Sequence, residues 1–185
     1  MLYTRKGDDG TTKMFGCEGR MSKASAAAEA LGALDEVNSF LGLVKVKAEE
    51  KTFTVAGGQM RFCDILRQAQ EDLFIAQAEV AGAEKTISEE KVRWEEEITD
   101  GIEKELPPIK SFLVAGGTEM AAMLDVARTI ARRTERQVRV AVEAGEVKIG
   151  EQTGKYLNRL SSLLYALARA ANKQEGIREE GPRYE

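Results

Sequence analysis

The chain has 185 residues, 43% of them hydrophobic and 31% charged, with three prolines and a formal net charge of −4. This balance fits one globular domain, residues 1–185, large enough to bury a core, and excludes a disordered chain. The acidic total also argues against nucleic acid as a partner, so any anion site must come from a local cluster.

Residues 1–22 read as an irregular segment in which Gly7, Gly10, Gly16 and Gly19 alternate with Thr, Lys and Arg. The opening MLYTRKGDDG has no apolar stretch of the kind a secretory signal needs. No run of about 18 apolar residues predicts a membrane span, so no membrane partner and a cytoplasmic location are expected. Ser22 is the expected N-cap of a first helix, whose apolar face is Ala27, Leu31, Leu34, Leu41 and Val44. KTFTVAGG, residues 51–58, should break that helix. Phe62, Leu66, Ala69, Leu73, Ala76 and Val80 then alternate four and three apart, which suits a helix in a bundle.

Ser88 is the expected cap of a third helix, with Trp94, Ile98, Ile102 and Leu106 four apart and Pro107-Pro108 ending it. A fourth helix is predicted from Thr118 to Ala144 on Met120, Leu124, Ala127, Ala131 and Val138. A fifth is predicted from Glu151 to Asn172 on Leu157, Leu160, Leu164, Leu167 and Ala171. Residues 173–185 are expected to be a loose, flexible tail. Apart from weak β-propensity at FLVA, no strand pattern competes, so the fold expected is an all-α, five-helix, up-and-down bundle.

The chain contains no His, the commonest general base and metal ligand, so its chemistry should need neither. Cys17 and Cys63 are too few for a disulfide framework or a zinc site and read as two reduced thiols. Three polar clusters call for an explanation. In TRKGDDGTTKMFGCEGRMSK, close glycines can turn backbone N–H groups toward a phosphate, and Arg5, Lys6, Lys13 and Lys23 add charge. Asp8 or Asp9 could hold a phosphate-bound Mg²⁺ through water. The same composition also fits a mobile arm, and it is no Walker A loop.

In LDVARTIARRTERQVRV, Asp125, Arg128, Arg132, Glu135 and Arg139 are three and four apart and make one polar stripe, with Arg133 and Arg136 beside it. A solvated face laced with ion pairs such as Asp125–Arg128 is the plain alternative. Near-exclusive use of Arg favours bidentate anion binding instead. In YLNRLSSLLYALAR, Asn158, Ser162, Tyr165 and Arg169 share a face. There, and at Asp35, Asn38 and Ser39, spacing alone does not separate a ligand contact from a helix-register device.

Taken in order, YTRKGDDGTTKMFG, RMSK, ALGALDEVNSFLG, FLVAGGTEMAAMLDVARTIARRTERQV and YLNRLSSLLYALAR resemble the PduO-type ATP:cob(I)alamin adenosyltransferases over roughly residues 3 to 172. The resemblance implies a homotrimer with active sites between subunits, and transfer of the 5′-deoxyadenosyl group of ATP to cob(I)alamin or a related corrinoid. ATP contacts carry over to Thr4, Arg5, Lys6, Gly7, Thr12, Lys13 and Lys23. On the later helices they carry over to Arg132, Arg133, Thr134, Glu135, Arg136 and Asn158. Asp35 and Arg128 match a pair that the family places across the interface near the corrinoid. Phe112 matches the aromatic that displaces cobalt's lower axial ligand.

The implied catalytic set is Arg128, Arg132 and Asp35, with Mg²⁺ on the nucleotide and a flavoprotein or other reductase as electron donor. The chain departs from the family at Ala115, where Pro is common, at Asp125, where His is common, and at Ser162, where Asp is common. The alternative reading is a non-catalytic ATP-binding bundle that acts as a sensor or a corrinoid carrier.

Overall fold

The structure, a computed structural model, describes residues 3–15 and 19–184. The expected thiol at Cys17 lies outside the described residues, and Cys63 is a free cysteine. Among the described residues five helices make the fold: α1 Ala26–Ala48, α2 Phe62–Val80, α3 Glu89–Glu105, α4 Glu119–Glu143 and α5 Glu151–Gln174. The apolar positions chosen from spacing are buried throughout α2 and α5, and on α4 from Met120 to Val138. On α3 only Ile98 and Ile102 of the four are fully buried, while Trp94 and Leu106 pack at its margin.

Helix α4 packs between α1 and α5, α1 also packs on α2, and α3 packs on α5. The ends interlock through carboxylates. Glu146, just past α4, accepts the Ala27 amide of α1 at 2.8 Å, so the end of α4 meets the start of α1. Near the end of α2, Glu79 accepts the Gly150 amide at 2.6 Å and also the Thr153 hydroxyl of α5. Both contacts satisfy amide groups that a helix N-terminus otherwise leaves unpaired, and both fix antiparallel neighbours.

Three local expectations change. The cap of α1 is Ser25, whose hydroxyl accepts the Ala28 amide at 3.2 Å; Ser22 lies one turn earlier, in a strand. Strands do occur: β1 Thr11–Thr12 pairs with β2 Met21–Ser22, and β3 Thr52–Val55 pairs with β4 Gly58–Arg61. The second hairpin turns at Ala56 (φ 50°) and Gly57 (φ 77°), the two positive φ values that a tight primed turn needs. Its alternation buries Phe53 against Phe62, with ring centroids 4.5 Å apart, so the segment read only as a helix break also contributes to the core. FLVA forms no strand.

The segment after α5 makes contacts with the bundle. Glu179 pairs with Arg169 at 2.9 Å, and the Glu180 carbonyl accepts the Val114 amide at 2.8 Å.

Candidate functional site

Of the hollows along the α4–α5 face, two gather most of the Arg stripe. One, of about 310 Å³, is lined by Arg132, Glu135, Arg136 and Arg139 of α4 with Gly154, Leu157 and Asn158 of α5. The other, of about 620 Å³, is lined by Phe112 and its neighbours in the link between α3 and α4, with Arg128, Arg132, Ser161, Ser162 and Tyr165. Arg132 belongs to both. The three- and four-residue spacing of the Arg stripe puts these side chains on one helical face, and the pairing of α4 with α5 turns that face into a walled surface.

Within the smaller hollow the Asn158 amide donates to Glu135 Oε1 at 2.9 Å, and Arg159 donates to Asn158 Oδ1 at 3.2 Å. Arg136 Nη1 donates to the Arg132 carbonyl at 3.0 Å. Among the described residues the Arg132 and Arg139 guanidinium groups have neither a salt bridge nor a side-chain hydrogen bond, so their donors are free for an anion. Planar guanidinium groups with unused donors are the chemistry of bidentate phosphate recognition.

The larger hollow is apolar on one side. Phe112 is 81% exposed, and nothing among the described residues covers its ring. Opposite it, the Arg128 guanidinium lies 5.7 Å from the centroid of the Tyr165 ring. Burial pushes the Tyr165 phenol above its ordinary value, so this ring faces the hollow as a neutral group.

The link that carries Phe112 is anchored from below. Asp125 Oδ2 accepts the Gly116 amide at 2.9 Å, while its Oδ1 meets Arg128 Nε at 3.4 Å. Asn172 accepts the Thr118 amide at 3.0 Å and donates to the Gly116 carbonyl at 2.8 Å. Gly116 and Gly117 have φ 113° and 109°, and a Cβ on Gly117 would lie 2.3 Å from Asn172 Oδ1, which explains the paired glycines.

The N-terminal cluster forms its own array. Gly10 (φ 80°) closes a turn in which its amide donates to the Gly7 carbonyl at 3.2 Å. Lys23 Nζ donates to the Gly7 carbonyl at 2.8 Å, and Arg20 donates to the Thr11 hydroxyl at 2.6 Å and carbonyl at 2.9 Å. Asp9 Oδ1 accepts the Thr11 hydroxyl at 2.7 Å and amide at 2.9 Å, and these bonds hold its carboxyl below its ordinary value. Thr4 accepts the Lys6 amide at 3.5 Å, and Arg5 (φ 60°) lies 5.5 Å from the Tyr3 ring. Thr12 is in β1, and Lys6 and Lys13 are exposed.

Most of the predicted site residues therefore fall into three groups. Arg132, Glu135, Arg136 and Asn158 come together in the smaller hollow, and Phe112, Arg128 and Arg132 in the larger. Thr4, Arg5, Lys6, Gly7, Thr12, Lys13 and Lys23 line neither hollow, and no hydrogen bond among the described residues joins their array to the stripe.

Two of the expected nucleotide contacts beside the stripe make other bonds within this chain. The Thr134 side chain is buried at 1% exposure, and its hydroxyl donates to the Ala33 carbonyl at 2.9 Å; it fastens α4 to α1. Arg133 turns to the α1 side, where it pairs with Glu36. Asp35 is exposed on α1 and does not pair with Arg128 within the chain, whose partner is Asp125. Spacing gave no hint of Arg20, a lone Arg among glycines, or of Asn172, a polar residue at the end of an apolar seam.

The sequence profile of the cobalamin adenosyltransferase family matches residues 2–171. The corrinoid adenosyltransferase of Bacillus subtilis is 36% identical over 183 residues, covering 95% of this chain and 89% of that protein. That of Mycobacterium tuberculosis is 36% identical over 179 residues, covering 92% and 88%. Among solved structures, a Phe-to-His variant of the PduO-type ATP:corrinoid adenosyltransferase from Lactobacillus reuteri, complexed with cobalamin and ATP, is similar with a TM-score of 0.85. That pair is 29% identical, covering 100% of this chain and 97% of the other. An Arg-to-Lys variant from the same organism, complexed with ATP, has a TM-score of 0.83 at 30% identity, covering 98% and 100%. On the ordered motifs, the profile match and these relatives together, the chain belongs to the cobalamin adenosyltransferase family.

Proposed function

We infer that the chain transfers the 5′-deoxyadenosyl group of ATP to the cobalt of a reduced corrinoid, releasing triphosphate. The observation that carries this reading is Arg132, which stands on the wall common to the anion-binding hollow and the apolar, Phe112-lined hollow. A transfer between an anionic donor and a flat macrocyclic acceptor needs such a junction. Cob(I)alamin attacks C5′ with its own electron pair, a cobalt–carbon bond forms, and the C5′–O bond breaks with its pair left on triphosphate. No proton moves, which agrees with a chain that has no His.

The protein's share is alignment and charge stabilisation. Arg132 and Arg136 hold the triphosphate as charge grows on the leaving oxygen, and Asn158 fixes the Glu135 carboxylate beside them. Phe112 and Tyr165 keep the corrinoid face dry, and the ring of Phe112 excludes the lower axial ligand. Arg128 and Asp35 belong to the corrinoid side, paired across subunits. The N-terminal array of Thr4 to Gly7, Thr12, Lys13 and Lys23 completes the nucleotide site from a neighbouring copy of a homotrimer. Its distance in bonding from the stripe within one chain supports that arrangement.

Mg²⁺ fits as the counter-ion of the triphosphate. Among the described residues no three His, Cys, Asp or Glu side chains converge on a metal position, so phosphate oxygens and water supply most ligands, with Asp8 or Asp9 nearby. Bound there, it would neutralise charge on the leaving group. A flavoprotein or other reductase supplies the electron, in the cytoplasm. No helix among the described residues is long and apolar enough to cross a membrane.

The test is an anaerobic assay with chemically reduced cobalamin and ATP, following formation of the cobalt–carbon bond. Arg132→Ala should keep the fold and lose at least about a hundredfold in rate, the effect of removing one preorganised donor worth about 3 kcal/mol. Wild-type turnover in a folded Arg132→Ala protein refutes that role. ATP binding without release of triphosphate points instead to a sensor or carrier.

A further inference from the structure

We propose that residues 177–181, beyond α5, form a strap that positions the link carrying Phe112, with Arg169 and Glu179 as its positioning residues. The link from Pro107 to Thr118 contains no helix or strand, and its large apolar side chains Ile109, Phe112 and Val114 are exposed. An aromatic that is 81% exposed cannot be held by its own packing, so its place depends on how the backbone beneath it is anchored. The α4 side of the link is fixed by Asp125 and Asn172. The other side has a separate anchor.

Arg169 of α5 has only 6% of its side chain exposed, and Glu179 only 18%, a shielding that only Lys91–Asp72 and Arg128–Asp125 approach among the other ion pairs of the described residues. Arg169 Nε donates to Glu179 Oε2 at 2.9 Å, and Nη2 donates to the Pro107 carbonyl at 3.0 Å. One rigid planar guanidinium thus joins the start of the link to the strap. One residue further on, the Glu180 carbonyl accepts the Val114 amide at 2.8 Å, two residues beyond Phe112. At Gly181 a Cβ would stand 3.3 Å from Ser111 Oγ and 3.4 Å from the Phe112 carbonyl, so the strap lies directly on the Phe112 backbone. The two anchors bracket the exposed ring.

The effect on corrinoid rests on the adenosyl-transfer reading, whereas the anchoring itself can be measured without corrinoid. In the chain ended after Gly176 the guanidinium of Arg169 gains solvent in place of its partner, so the bundle should stay folded. Amide exchange at residues 111–114 should then rise at least about tenfold, and unchanged exchange overturns the strap. In the assay above, the shortened chain should raise KM for the corrinoid roughly tenfold or more while KM for ATP stays put, since small displacements of positioning groups carry large rate costs.

The EPR signal of four-coordinate cob(II)alamin formed with ATP should weaken in parallel, with Glu179→Gln intermediate because it keeps an acceptor. Combined with Phe112→Ala, the shortening should add little further loss, as expected of two changes acting through one ring. Faster exchange with unchanged corrinoid KM and EPR signal overturns the positioning role while leaving adenosyl transfer intact. Equal rises in both KM values would also overturn it, as general damage. An intact chain that forms no cobalt–carbon bond refutes the transfer reading instead, with the exchange result standing on its own.

Discussion

Asp125 makes two contacts that can be separated by substitution. One carboxylate oxygen accepts the Gly116 amide at 2.9 Å and the other meets Arg128 Nε at 3.4 Å, in a site where the Asp125 side chain is 12% exposed and the Arg128 side chain 28%. Asp125→Ala strands the amide and leaves the guanidinium unpaired. A hydrogen bond to a charged group contributes about 1.5–3 kcal/mol, and the partly buried ion pair, long at 3.4 Å, adds at most about 1 kcal/mol. A loss of about 2–3 kcal/mol should lower Tm by roughly 5–10 °C in a chain of this size.

Asp125→Asn keeps an acceptor for Gly116 and should recover most of that stability while still releasing Arg128. The assays are thermal unfolding by circular dichroism and steady-state kinetics with each substrate varied. Asp125→Ala should raise KM for the corrinoid more than KM for ATP, because the larger hollow holds Arg128 and the link. A Tm within about 1 °C of the parent, or an equal effect on both KM values, would refute the reasoning.

Thr134→Val removes a buried hydroxyl that donates to the Ala33 carbonyl. It should cost about 1 kcal/mol in urea unfolding and leave KM for ATP unchanged; a raised KM would show that Thr134 serves the nucleotide site as well. Glu95 is fully buried between α3 and α5, facing Asp72, Tyr156, Glu96 and Arg159, with Lys91 paired to Asp72. Burial, and then the charge on Asp72, push its carboxyl well above the ordinary range, so the folded chain keeps that proton above the pH at which an ordinary Glu loses it. The unfolded chain releases that proton once pH passes the ordinary Glu value. Stability therefore falls as pH rises from about 4.5 toward the folded value. Glu95→Gln should flatten that decline and raise stability at pH 7 relative to pH 4, measured by urea unfolding; a steeper decline would overturn the assignment.

Five helices, their order and most of their buried faces could be read from the chain because helical periodicity is local. Apolar residues three and four apart share a face whatever surrounds them. The Arg stripe was legible on the same ground. Its division was not: whether Arg133 faces Glu36, or Thr134 reaches Ala33, depends on where α1 lies, and nothing in α4 encodes that. The cap at Ser25 and the hairpin at Ala56-Gly57 were missed for a related reason. Ser22 and Ser25 are equivalent as isolated residues, and four-residue strands gain their meaning only from the partner they bond.

The motifs alone placed the candidate anion-binding Arg stripe and the family resemblance on the same helix, α4. Only the tertiary structure decided that Arg132 alone of the stripe lines both hollows, that Asp125 carries the link, and that the C-terminal residues lie against it. These are contacts between segments far apart in sequence. Their geometry is fixed by how helices pack and loops close, which no local pattern of residues specifies.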